Sequence, residues 1–244
     1  MPQRKRGLAR RVLRGALLFA AAWGSLTFAV VVALRFVDPP TTAFMLQSRI
    51  AALIEEPQGY SFGYQWRDWD SISRQAALAV VAAEDQKFPV HHGFDFEQID
   101  RALADRERGG RTRGASTITQ QVAKNLFLWP GRSLFRKGLE AGLTVLIELT
   151  WSKRRILEVY LNVAEFGPGT YGVQAASRRY FGKDAAALSR PESALLAAVL
   201  PAPRRYSVAS PSRYVRHRQG WIERQMSALG GTGYLEALDP GKRS

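Results

Sequence analysis

Between Arg14 and Arg35 the chain runs ALLFAAAWGSLTFAVVVAL, Ala16 to Leu34, without a charge. Those nineteen residues, wound as a helix, span about 28 Å, the thickness of a bilayer's hydrocarbon core. A cleavable signal would carry a shorter apolar run, about 7–15 residues, before a small-residue cut site. The stretch therefore reads as an uncleaved anchor, with a transmembrane segment over 15–36. The preceding segment, 1–14, holds Arg4, Lys5, Arg6, Arg10, Arg11 and Arg14 and no acid. Such a basic flank keeps its end in the cytoplasm. Everything after the anchor is then expected on the far side of the membrane.

The chain has 244 residues, enough for one ordinary domain beyond the anchor. It has no cysteine, which excludes disulfides and thiolate metal sites. Its formal charge of +14 calls for an anionic partner: an acidic lipid surface, a phosphorylated substrate or nucleic acid. No HExxH or comparable metal-ligand pattern occurs.

Past the anchor, VDPPTTAF is a proline-broken connector, FMLQSRIAALIEE a short membrane-proximal helix, and PQGYSFGYQWRDWDSIS irregular or extended. The whole of 37–59 reads as connector and membrane-proximal segment. Ser71 or Ser73 can cap an Ala-rich helix that ends at Glu84. FEQIDRALADRE is another helix, running into a Gly/Arg stretch, RGGRTRG, that reads as mobile. Thr117 with Gln120 forms a capping box for QQVAKNLFL, and Ser189 with Glu192 does the same for PESALLAAVL. Between them lie SLFRKGLEAGLTVLIELTW, a helix capped by Ser152 that reaches the Gly167-Pro168-Gly169 turn, and a helix over TYGVQAASRRYF. The expected fold is mainly α, with a domain over 60–230 and a tail over 231–244.

Four stretches carry candidate chemistry. Glu84 closes a helix with Ile72, Ala76, Ala79, Val80 and Ala83 on its apolar side, at the negative end of the helix dipole. Burial and dipole both raise a carboxylate's proton affinity, so Glu84 is either a solvated helix end or a proton acceptor. His91 is placed to orient it. GASTITQQ crowds hydroxyls and carboxamides at a helix start, with Lys124 and Asn125 a turn later. Capping explains Thr117 and Gln120; phosphate and sugar binding would explain the rest. RKGLE holds Arg136 and Glu140 at i,i+4, an ordinary surface pair or a clamp for an anionic leaving group. KRRILEVYLN turns Ile156, Leu157, Tyr160 and Val163 inward as scaffold. The aromatics of NLFLWPGRSLF, set among basic residues, suit a lipid interface or a core.

In this order, EDQKFPVHHG, GASTITQQ, RKGLE and KRRILEVYLN resemble the successive signature motifs of the peptidoglycan glycosyltransferases, over roughly residues 60 to 205. The resemblance implies a lysozyme-like helical fold and polymerisation of lipid II on the outer face of the bacterial inner membrane. It is to the monofunctional biosynthetic form: neither Ser-x-x-Lys nor Lys-Thr-Gly, marks of an appended transpeptidase, occurs. By the same resemblance Glu84 is the general base and Glu140 the second acid, near the donor pyrophosphate. Ser116, Thr117, Gln120, Gln121, Lys124, Asn125, Arg132, Arg136 and Lys137 bind substrate, while Asp85, Phe88, His91 and Gly93 support the site. A divalent cation, magnesium or manganese, is an expectation beside Glu140; no organic cofactor is. Expected partners are lipid II, the growing glycan strand, the inner membrane and proteins of wall synthesis or division, but no nucleic acid.

Two other classes compete. A peptidoglycan-cleaving glycosidase or lytic transglycosylase of related fold must protonate its leaving oxygen, and its uncharged glycan needs no cation cluster. A non-catalytic basic membrane protein binding anionic lipid or nucleic acid accounts for the charge but not for the polar STITQQ stretch.

Overall fold

The computed structural model describes residues 2–55, 60–108, 116–131 and 133–238, in two compact units, Met1–Asp38 and Pro39–Ser244. The first unit is one helix, α1 (Pro2–Leu34), whose stretch Leu13–Leu34 is long and apolar enough to cross a membrane. Phe19, Trp23, Leu26 and Phe28 on it are exposed.

The second unit is built on α3 (Arg74–Glu84). Ser73 caps it, accepting the Gln75 N–H at 3.3 Å and donating its own hydroxyl to the Leu188 carbonyl. Every residue from Ala76 to Ala82 is buried, which marks a central helix rather than a surface one. Four alanines in that run let neighbours approach closely. Against α3 pack α7 (Lys153–Val163), α9 (Arg190–Val199), α10 (Arg213–Ala228) and a closing 3-10 helix, Gly231–Leu238. A second cluster forms around α5 (Ile118–Phe127), which packs on α2 (Ala43–Glu55), α6 (Leu134–Thr150) and α7. Helix α7 serves both clusters, and its Ile156, Leu157, Tyr160 and Val163 are all buried as expected. Helix α4 (Phe96–Glu107) and helix α8 (Val173–Phe181) complete the set.

A small sheet joins three short strands, β1 (Gly63–Tyr64), β2 (Glu165–Gly167) and β3 (Thr170–Tyr171), in the order β1-β3-β2. Strand β1 runs parallel to β3 and β2 antiparallel, with a bulge between Glu165 and Gly167. Here the structure corrects the sequence reading. The helix capped by Ser152 stops at Val163, and Thr170–Tyr171 is strand, so α8 starts only at Val173. The reversal depends on Gly172, at φ 83°, where a Cβ would sit 2.5 Å from the Asn162 carbonyl oxygen.

Two segments assigned to connector and tail are packed elements. Helix α2 lies on α5 with Met45 fully buried, and the closing 3-10 helix buries Leu235 and Leu238. Most of RGGRTRG, residues 109–114, lies outside the described residues.

Candidate active site

Glu84 is the last residue of α3, and its side chain is 12 % exposed. Its two oxygens have different neighbours. Oε2 accepts from Gln121 Nε2 at 3.0 Å, and Oε1 lies 3.3 Å from Arg218 Nη2. The Gln121 amide is itself oriented by Tyr160, whose hydroxyl donates to Gln121 Oε1 at 3.0 Å. Burial first, then the charges of Glu84 and Asp85, push the Tyr160 phenol well above its usual range. It stays a donor, so Gln121 can turn only its N–H groups toward Glu84. Burial likewise raises the Glu84 carboxyl above its ordinary value. The Gln121 hydrogen bond and the charges of Arg218 and Lys124 oppose that rise, and Asp85 adds to it.

The neighbouring Asp85 has a different task. It is 1 % exposed, receives His91 Nε2 at 2.8 and 3.0 Å, and accepts the Ile118 N–H at 3.0 Å. Ile118 opens α5, so Asp85 places a carboxylate on that helix's N-terminus and joins it to the end of α3. His91 therefore holds Asp85, not Glu84 as the sequence suggested. Phe88 is fully buried beneath Lys153, whose Nζ lies 4.6 Å from the ring centroid. Gly93 sits at φ 82°, where a Cβ would come within 2.7 Å of Thr144 and 2.9 Å of Glu148 on α6. Its carbonyl receives the Thr117 hydroxyl at 2.7 Å. Thr117 and Gln120 are both buried and close the capping box between them, so their polar atoms serve α5. Thr119 is likewise occupied, donating to Glu148 at 2.5 Å.

Glu140 lies in the body of α6, 3 % exposed, with a cation on each oxygen: Arg136 Nη1 at 3.0 Å and Lys137 Nζ at 2.5 Å. The pair taken from sequence as a possible surface ornament is thus buried at the acid end. Lys124 comes from α5 and feels both Glu140 and Glu84; burial is the main cause of its lowered proton affinity, with Arg136 and Lys137 adding to it. Its Nζ stands 5.7 Å from the Phe44 ring centroid on α2. Gln121, Lys124 and Asn125, at i, i+3 and i+4, share one face of α5 and line a cleft of about 350 Å³. Ser116 is exposed just ahead of α5, and Arg132 lies outside the described residues.

The cleft continues past Tyr160 to Glu165, Tyr171 and Arg204. Glu165 accepts from Arg204 Nε at 3.2 Å, and burial raises its carboxyl. The sequence reading missed this pair, and it missed Arg218. No motif announces either arginine, and each meets its acid only through the tertiary fold.

Among the described residues no three His, Asp or Glu side chains gather. Glu140 has both oxygens committed to cations. These residues by themselves do not suit a resident metal ion, and no step is assigned to one.

Chemically, the arrangement pairs a carboxylate of raised proton affinity with a separate cluster of three cations around a second acid. The first can take a proton; the second can receive a developing anion. A family model described as Transglycosylase matches residues 51–227. A biosynthetic peptidoglycan transglycosylase of Xanthomonas campestris pv. campestris (strain B100) is 56% identical over 97% of this chain and 94% of that protein. The protein of the same name from Pseudomonas putida (strain GB-1) is 54% identical over 97% and 98%. The order of the motifs, the helical fold and these matches agree: the chain belongs to the transglycosylase family and is a peptidoglycan glycosyltransferase of cell wall synthesis.

Proposed function

We propose that the chain polymerises lipid II, with Glu84 as the base that accepts the proton of the acceptor GlcNAc 4-hydroxyl. The freed oxygen pair bonds to C1 of the donor MurNAc as the C1–O bond to undecaprenyl pyrophosphate breaks, with inversion at C1. The electron pair leaves on the pyrophosphate, which is already a good leaving group, so no strong general acid is required. Lys124, Arg136 and Lys137 receive its charge, and Glu140 holds the latter two in place. Gln121, Asn125 and Ser116 are assigned to the sugars and phosphates, as is Arg132.

The observation that carries this reading is the Glu84 environment: a buried carboxylate at a helix end, joined through Gln121 to the cleft that Lys124 also lines. The cation cluster favours a charged leaving group over glycan hydrolysis. On α6 the exposed Leu134, Phe135, Leu139 and Leu149 favour a seat at a lipid surface, where the substrate's polyprenyl chain resides. We place the N-terminus in the cytoplasm and the catalytic unit on the far side of the inner membrane, from the basic residues ahead of the apolar helix.

The test is incubation of the full chain in detergent with labelled lipid II, beside Glu84→Gln. Glycan strands from wild type alone are expected. Strands from both would remove Glu84 as the base, and consumption of finished glycan without use of lipid II would overturn the synthetic reading.

A further inference from the structure

Arg218 sits on α10, 134 residues along the chain from Glu84, and reaches the end of α3. Its Nη2 is 3.3 Å from Glu84 Oε1 and 3.4 Å from the Ala83 carbonyl oxygen. The side chain is 20 % exposed and its Nε is buried without a hydrogen-bond partner. The Gln121 that holds Oε2 is among the residues lining the cleft; neither Glu84 nor Arg218 is. The two oxygens thus divide the labour. Oε2 takes the amide of the cleft-lining Gln121, and Oε1 the guanidinium brought by α10.

We infer that Arg218 is a positioning residue for the glycosyl transfer, fixing the Glu84 carboxylate through its Oε1 and resetting it to the ionised form after each addition. The inference rests on Glu84 being the base. Each disaccharide unit added leaves one proton on Glu84, and the next cannot begin until that proton has passed to water. A neutral Glu84 would leave the Arg218 guanidinium, mostly buried, without its opposing charge. Loss of the proton restores the pair, so Arg218 drives the reset while Gln121 keeps the working oxygen aimed. The same guanidinium also meets a carbonyl of the last turn of α3, where a cation is favourable.

The other groups around Glu84 do not duplicate this role. Asp85 beside it opposes ionisation, and Tyr160 of α7 carries no charge. Lys124 of α5 does favour the ionised form, but it lines the cleft, where the substrate's own phosphates compete for it. On α9, Arg190 is bound to Glu223 and Ser227 of α10, and Glu192 to Ser189 and Lys183. Tyr234 of the closing 3-10 helix bonds the Gln86 carbonyl. Within α10, Arg218 is the charged group among the leading influences on Glu84.

The experiment is a pH profile of kcat/KM for lipid II polymerisation by the full chain, for wild type, Arg218→Gln and Arg218→Lys, with the melting midpoint recorded at each pH. In Arg218→Gln the acid limb is expected to move up by about one unit, a roughly tenfold loss on the acid side that recovers as pH rises. Arg218→Lys keeps the charge on a shorter stem, so its limb moves the same way by less. Should the Gln variant not fold, the direction of the Lys shift decides. A uniform loss at all pH values with an unmoved limb, or profiles identical to wild type, overturns the inference. An inactive wild type would instead overturn the lipid II reading itself.

Discussion

Glu84 and Glu140 are both glutamates on helices of one domain, both largely out of solvent, and the fold treats them in opposite ways. Glu84 ends its helix, where the dipole is unfavourable to its charge, and meets one neutral amide and one guanidinium at 3.3 Å. Glu140 sits mid-helix with a cation on each oxygen, both supplied from the preceding turn of its own helix. The residue proposed to gain and lose a proton is kept loosely compensated. One that must keep an array of positive charges in register is tightly compensated. On the proposed mechanism, identical side chains become a reagent and a brace through backbone position and the charge of their partners.

The largest test of that contrast is Glu84→Gln. It preserves shape and the contact with Arg218 but cannot take a proton, so polymerisation should fall about a thousandfold while lipid II still binds. Glu140→Gln should act first on stability. Arg136 and Lys137 would face each other with Lys124 nearby and no buried counter-charge, costing about 3 kcal/mol, read as a lower urea midpoint. If Glu140→Gln instead left stability intact and removed turnover alone, the brace would have to be reclassified as a reagent. Lys137→Ala is milder, because that side chain is 47 % exposed: about a tenfold loss of polymerisation, with stability nearly unchanged.

The smallest effect has the opposite sign to the first. Burial raises the folded-state pKa of Glu84 above its unfolded value. The stability this brings is complete below the unfolded value and is lost as pH rises through the folded one. At neutral pH the ionised residue therefore burdens the fold, and Glu84→Gln should melt slightly higher than wild type. The gain should fade as pH falls toward the ordinary carboxylate range. A Gln variant less stable than wild type at neutral pH would mean that Arg218 outweighs the burial.

Local chemistry was legible in the sequence, and long-range chemistry was not. Thr117 with Gln120 and Ser189 with Glu192 read as capping boxes because a cap acts within four residues, and both boxes form. The end of α3 at Glu84 was legible from its periodicity, while Lys124, Arg136 and Lys137 were marked by the resemblance to the family's motifs. The three strands have two or three residues each, too short for alternation to register. His91 was assigned to the wrong acid, since adjacent carboxylates at a helix end point in directions that no pattern encodes. Arg218 and Arg204 were invisible because their partners lie 134 and 39 residues away.

The bond from the Ile118 N–H to Asp85 has a consequence for how the site is assembled over time. Asp85 adjoins the residue assigned as base, and Ile118 starts the helix that carries Gln121 and Lys124. Neither helix end can open alone without stranding a buried carboxylate or an uncapped amide. The two halves of the site should therefore form and dissolve in a single cooperative step, and hydrogen exchange at Ile118 would report the lifetime of the assembled enzyme.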